Sequence, residues 1–212
     1  MDKKALCRVF KRQEASQTHQ VDLRAVFIGP AMEKGFFRPL PFLLVTLAVT
    51  LSGDGVDGYD TDWDEPFLFT CPYGKVLTRL YSIHSNSRED RRWDFMCSSP
   101  PAGANPTSCY WTGYVNELDE PLSFQCASNH IIAGVNSYHC NRREDRRFKF
   151  KCCSHSSYAT RSCYLTGYIN EWDSTLDYTV PSGKVLTGAY SVHSNRKEDR
   201  RWKFHICSYG EN

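Results

Sequence analysis

Hydrophobic and polar side chains alternate with a period of two along several stretches of this chain. In RRWKFHIC, residues 200–207, Trp202, Phe204 and Ile206 fall on one face and Arg201, Lys203 and His205 on the other. That is the pattern of a strand with one buried side. In KVLTGAYSVHS, residues 184–194, Val185, Thr187, Ala189 and Ser191 alternate with Leu186, Gly188, Tyr190 and Val192. TGYVNE (112–117) and LSFQC (122–126) predict two shorter strands, parted by an Asp-Glu-Pro turn at Asp119–Pro121. No segment carries a 3.6-residue apolar stripe long enough for a helix, and Gly, Pro, Asn and Ser punctuate the boundaries.

The strand pattern recurs. REDRRWDF (88–95), REDRRFKF (143–150) and KEDRRWKF (197–204) are near copies, offset by 55 and then 54 residues. Each octapeptide ends a longer repeat, so the chain contains three tandem units with a repeat length of about 54 residues, their matching parts being about 54–98, 109–153 and 163–207. Four short strands per unit predict an all-β fold of three small sheets with pseudo-threefold symmetry. A β-prism-like arrangement suits the unit length, with a β-trefoil-like one as the alternative.

The repeat register also pairs cysteines. Cys71 and Cys97 of the first unit correspond to Cys126 and Cys152 of the second, and both are replaced together in the third, by Val180 and Ile206. Cys109 and Cys153 correspond to Cys163 and Cys207, and both are missing together from the first unit, at Asp54 and Ser98. Residues gained and lost as couples are bonded couples. The expected disulfides are therefore Cys71–Cys97, Cys126–Cys152, Cys109–Cys153 and Cys163–Cys207, with Val180 packed on Ile206 where one bridge is missing. Cys140 stands where the sister units have Ser85 and Ser194. It is expected to be a free, shielded thiol, the alternative being a bond to another chain.

Ten cysteines in 212 residues point to an oxidising compartment. Lys34 and Arg38, an apolar run from Leu40 to Leu51 and small residues after it form a secretory signal. The run is shorter than the roughly 20 residues of a membrane span. The expected division is a leader over 1–53, with translation starting at Met32 and Cys7 removed, followed by a domain over 54–212. The leader holds eight Lys/Arg and four Asp/Glu; the remainder holds eighteen and twenty, a net charge of −2. A mildly acidic domain does not favour nucleic acid as a partner.

Candidate chemistry centres on the octapeptide. Arg91, Arg92, Arg146, Arg147, Arg200 and Arg201 are candidate ligands for sulfate or carboxylate, which guanidinium forks match. The competing reading makes the phrase a salt-bridged hairpin, with Arg200 paired to an acid on a neighbouring strand and Asp199 capping backbone amides. Both hold if one arginine of each pair faces outwards. His84, His139 and His193 recur at one position, but symmetry-related histidines meet only on an axis, so no metal or other cofactor is expected. Adjacent Glu and Asp point to opposite faces of a strand, which argues against a shared hydrolytic site. Tyr59, in the acidic stretch DGVDGYDTDWDE (54–65), is a candidate for sulfation.

Three copies of Asp-Arg-x-Trp/Phe-x-Phe, with CPYG at Cys71–Gly74 before the first and the Cys152-Cys153 doublet closing the second, resemble the dermatopontin family over about residues 55–208. That resemblance implies a small secreted, non-enzymatic matrix protein that associates with collagen, proteoglycans and other sulfated glycans, and cell-surface receptors, with self-association possible. It also implies an alternative, since invertebrate relatives include multivalent lectin-like agglutinins and cell-aggregation factors. The acidic start carries only Tyr59, and His-Ser-Asn recurs at His84 and His193; both features place the chain nearer the agglutinin branch.

Overall fold

The structure, a computed structural model, describes residues 58–212. The leader, Met32, Cys7 and residues 54–57 lie outside the described residues. Within them the protein is all-β: eleven strands and a single 3-10 turn, Pro101–Gly103. No helix of the described residues is long and apolar enough to cross a membrane.

The strands are β1 (Phe67–Thr70), β2 (Val76–Ser85), β3 (Asp90–Ser98), β4 (Ser108–Trp111), β5 (Leu122–Gln125) and β6 (Ile131–Cys140). They continue as β7 (Asp145–Ser154), β8 (Tyr158–Leu165), β9 (Leu176–Thr179), β10 (Lys184–Ser194) and β11 (Asp199–Glu211). Three antiparallel sheets result, ordered β1-β6-β7-β4, β5-β10-β11-β8 and β3-β2-β9. Each is built on a long hairpin, β2/β3, β6/β7 or β10/β11.

The sheets are not the separate units that the repeat suggests. The short strand before each hairpin leaves its own unit and pairs with the next: β1 with β6, β5 with β10, and β9 with β2. The third pairing returns to the first unit, so the hydrogen bonding closes in a circle. A strand edge needs a partner for its amides, and here each unit supplies the edge of another. The sequence position that matches β4 and β8 in the first unit falls before Gly58, outside the described residues.

TGYVNE does not form the expected strand. Its backbone follows β7 closely, with Thr112 N donating to Phe150 O at 2.9 Å and Val115 N to Phe148 O at 2.9 Å. Side chains replace the rest of the ladder: Phe150 N donates to Thr112 Oγ1, and Phe148 N to Asn116 Oδ1, both at 2.9 Å. Thr and Asn compete with backbone partners in this way, which breaks regular pairing. The regular strand lies just upstream, in β4 and β8.

Strict alternation in the long hairpins is interrupted once per unit. The register slips between Leu77 and Arg79, Ile132 and Gly134, and Leu186 and Gly188. The extra residue is a β-bulge, which rephases the side chains. It lets both Leu186 and Ala189 face the core, although simple alternation puts them on opposite sides. At the centre, Trp93, Phe148 and Trp202 meet edge to face, with ring centroids 5.0–6.4 Å apart. Leu77, Leu80, Ile132, Val135, Leu186 and Ala189 surround the three rings.

Four disulfides join pairs of described residues: Cys71 to Cys97, Cys109 to Cys153, Cys126 to Cys152 and Cys163 to Cys207. In the chain-entropy account, loops of 26 and 44 residues correspond to about 3–4 kcal/mol each. Val180 and Ile206 are both buried in the core. Val180 N donates to Thr78 O at 2.8 Å, as Cys71 N does to Ala133 O and Cys126 N to Thr187 O. Cys140 is not the free thiol expected: it is buried and disulfide-bonded, its partner outside the described residues.

Candidate functional site

Each residue of the repeated octapeptide has a separate structural position. Its second residue, Glu89, Glu144 or Glu198, takes a left-handed backbone (φ 53°, 44° and 43°) that turns the hairpin. The aspartate after it is buried and accepts a backbone N–H from the preceding turn: Asp64 N to Asp90 at 2.8 Å, Asp119 N to Asp145 at 2.8 Å, Asp173 N to Asp199 at 2.9 Å.

The first arginine reaches across to another unit. Arg146 binds Asp90 with two bonds of 2.6 Å; Arg200 binds Asp145 at 2.6 and 2.7 Å; Arg91 binds Asp199 at 2.6 and 2.9 Å. Each also donates to a turn carbonyl, of Glu65, Glu120 or Ser174. All six charged residues are at most 4 % exposed. Three aspartates and three arginines thus form a closed ring, each ion pair joining two units. Arg91, Arg146 and Arg200 are therefore engaged inside the protein, as the salt-bridged reading of the phrase has it, and the anion-binding reading is left with Arg92, Arg147 and Arg201. Period-two alternation shows which face a residue takes on its own strand, but not which acid lies opposite.

Burial by itself raises the Asp90 carboxyl, but the charge and hydrogen bonds of Arg146 outweigh it and hold the group below the usual carboxylate range. Bidentate geometry and the turn amide supply the compensation that a buried charge needs.

The second arginine lies against a tyrosine; Arg92 and Arg201 are half-buried there and Arg147 is buried. Arg92 lies 4.5 Å from the Tyr59 ring centroid, Arg147 4.6 Å from Tyr114 and Arg201 4.0 Å from Tyr168. Two residues on, Lys149 and Lys203 approach the same Tyr114 and Tyr168 rings at 4.2 and 4.4 Å. The first unit has Asp94 in that place. Arg147 and Arg201 also pair with Glu117 and Glu171, which are largely exposed. Tyr114, Tyr168, Lys149 and Lys203 were not singled out in the sequence, although GY before the turn and Arg-aromatic-Lys after it recur together. Tyr59, the candidate for sulfation, is the first-unit counterpart of these tyrosines; burial and a hydrogen bond with Tyr81 raise its phenol.

The histidines do not meet one another. Each lies between two units beside two aspartates: His139 with Asp64 and Asp90, His193 with Asp119 and Asp145, His84 with Asp173 and Asp199. All three side chains are withdrawn from solvent. Burial pushes the His139 imidazole down, against the pull of Asp90.

These features define a disulfide-bonded all-β protein whose sequence repeats are locked together by reciprocal strands and ion pairs. The Dermatopontin family profile matches residues 61–211, and the chain belongs to that family. It is 46 % identical over 169 residues to the hemagglutinin/amebocyte aggregation factor of Limulus polyphemus, covering 79 % of this chain and 95 % of that protein. It is 39 % identical to dermatopontin of Biomphalaria glabrata, over 68 % of this chain and 95 % of that one. Against dermatopontin of Homo sapiens the identity is 30 %, over 73 % and 79 %. No solved structure matches the chain.

Proposed function

We propose that this protein is a secreted, non-enzymatic adhesion protein that gathers cells or matrix fibres through repeated surfaces, in the manner of an agglutinin. The observation that carries the reading is the duplicated aromatic and cationic surface: Tyr114 and Lys149, backed by the buried Arg147, in one unit and Tyr168, Arg201 and Lys203 in the next. Two copies of one cationic, aromatic surface on a single chain allow bivalent capture, which raises avidity without any new contact. The relative from Limulus polyphemus, matched over 95 % of its length, supports the same reading through its name. The disulfides among the described residues suit an extracellular setting.

The same reading takes the units as copies related by a pseudo-threefold rotation, in a β-prism-like arrangement. Its support is the circular strand pairing and the matched ion pairs. Sulfated glycans or proteoglycans are the proposed ligands, because guanidinium and ammonium groups suit sulfate and the tyrosine rings suit a sugar face. Collagen and cell-surface receptors remain the partners implied by the matrix relatives. The test uses the mature protein on erythrocytes and on immobilised heparin. Agglutination and salt-sensitive retention are expected, and Arg201→Ala combined with Lys149→Ala and Lys203→Ala abolishes both while leaving the fold intact. Agglutination inhibited by a free monosaccharide and indifferent to salt assigns a neutral-sugar site instead. Loss of neither property in the triple variant overturns the assignment of this surface.

A further inference from the structure

The three histidine–aspartate clusters have a feature that their ion pairs do not explain. Asp64, Asp119 and Asp173 each turn one carboxylate oxygen, Oδ2, towards a basic side chain: Arg88 at 3.7 Å, Arg143, and Lys197 at 2.5 Å. The other oxygen, Oδ1, is buried in all three and accepts no hydrogen bond. In each cluster it faces a ring nitrogen 3.7 Å away: Nδ1 of His139, His193 or His84.

Two of the tautomers follow from the surroundings. His84 Nε2 lies 3.2 Å from the carbonyl of Glu198, which can only accept, so Nε2 carries the hydrogen and Nδ1 presents a lone pair to Asp173. His193 Nδ1 lies 3.2 Å from Asn195 Oδ1. With the hydrogen there, its buried and unpartnered Nε2 presents a lone pair to Asp145 Oδ1 at 3.9 Å and Glu198 Oε2 at 3.7 Å. In the cluster of the first junction both His139 ring nitrogens are buried and make no well-formed hydrogen bond, although the Asn141 side chain is close by; Nε2 lies 4.0 Å from Asp90 and 3.8 Å from Glu144. Lone pairs thus face carboxylate oxygens inside the protein, which is unfavourable unless positive charge lies between them.

The spacing identifies that charge. An imidazolium–carboxylate hydrogen bond closes to about 2.7–2.9 Å, shorter than any of these gaps. Donors sharing a metal ion at about 2.0–2.2 Å stand about 3.4 Å apart at the tetrahedral angle and about 4.2 Å apart when opposite. The observed gaps fall between the two, at 3.7 Å from Nδ1 to the turn aspartate and 3.9–4.0 Å from Nε2 to the hairpin aspartate at the His139 and His193 junctions. An ion on one nitrogen therefore draws the other aspartate across the ring. One donor atom from each residue of a cluster lies within 4.8 Å of the others, so loading draws the farthest pair in by up to about 1.4 Å to reach tetrahedral spacing. We infer that each junction between units is a binding site for a zinc-type divalent ion, ligated by one imidazole nitrogen and by the turn and hairpin aspartates. Calcium is disfavoured because it takes oxygen ligands only. The hairpin aspartate remains anchored by its arginine, as ligating carboxylates usually are from outside. At the first junction Asp64, Asp90 and Glu144 outnumber Arg88 and Arg146 by one, so a divalent ion takes the local formal charge from −1 to +1.

The test uses untagged, secreted full-length protein, stripped with chelator and titrated with cobalt chloride. Expected are a visible ligand-field band that saturates at three equivalents, and a melting temperature raised by zinc and lowered by chelator. Joint replacement of His84, His139 and His193 by Gln removes both responses. If that variant does not fold, Asp64→Asn alone lowers the stoichiometry from three to two. No band together with no thermal response in the unaltered protein overturns the inference, and nitrogen NMR showing three imidazolium rings at neutral pH then assigns the charge to protons. A metal response that survives the histidine substitutions also overturns it, since the ions are then on the surface.

Discussion

Arg146→Leu tests whether the buried ring holds the repeats together. The substitution keeps the aliphatic bulk and removes two 2.6 Å bonds to Asp90 and one of 3.1 Å to the Glu65 carbonyl. Asp90 then stays buried with only the turn amide of Asp64 as a donor. Removing one partner of a buried pair costs about 3–5 kcal/mol, mostly for the charge left behind. Three charge-assisted bonds at about 1.5–3 kcal/mol each, less the recovered solvation of the lost arginine, fall in the same range. For a domain of this size the melting temperature should fall by about 6–20 °C.

The assay is urea unfolding with disulfides intact and chelator present, repeated across pH. In the native protein the Asp90 carboxyl lies below its usual value. Its stabilising contribution is therefore present above about pH 4 and is lost as pH falls through the folded-state value. In the variant, burial is no longer opposed by Arg146, the carboxyl takes up a proton more readily, and the deficit narrows on acidification. A deficit under about 1 kcal/mol, as exposed pairs give, or one unchanged between neutral and acid pH, refutes the buried-ring account. Arg146→Leu combined with Asp90→Leu should recover much of the loss, because an apolar pair leaves no orphan charge.

Trp202→Ala, which removes one of the three central rings, should cost about 3–5 kcal/mol in the same denaturation assay. In Gly188→Ala the new Cβ stands 2.3 Å from Phe124 O and 2.8 Å from Gln125 Cα; β5 must shift, with a loss of about 1–3 kcal/mol and faster amide exchange at Leu122–Gln125. Replacing the Cys126–Cys152 bridge by Val and Ile, the residues of the third unit, should lower stability by about 3–4 kcal/mol, the loop-entropy term, without changing the circular-dichroism spectrum. Arg201→Ala removes an exposed-side pair with Glu171 and should change stability by less than about 1 kcal/mol, in contrast to Arg200→Ala.

Much of the candidate site could be read as residue types but not as contacts. The alternation Arg201, Lys203 against Trp202, Phe204 placed Arg201 outside and the aromatics inside, and both are found there. Arg200 shares the side of Trp202, so its burial was foreseeable, as was a pairing with an acid on a neighbouring strand. That acid, Asp145, lies 55 residues away on another hairpin. The sequence pattern presents His84, His139 and His193 only as a group that could meet on an axis. They converge instead with aspartates of neighbouring units, at three separate junctions.

The sequence by itself determined the strand-rich class, the repeat length and the cysteine couples, because period-two alternation is local and repeated units expose what is gained and lost together. Tertiary structure alone decided that each short strand pairs outside its own unit, that Thr187 forms a bulge, and that one arginine of each pair is buried against a foreign aspartate. The physical reason is that alternation specifies a face, whereas partners across a junction are chosen by how whole hairpins pack. Near-identical units offer several chemically equivalent partners for every strand edge and charge, and only the circular closure selects one.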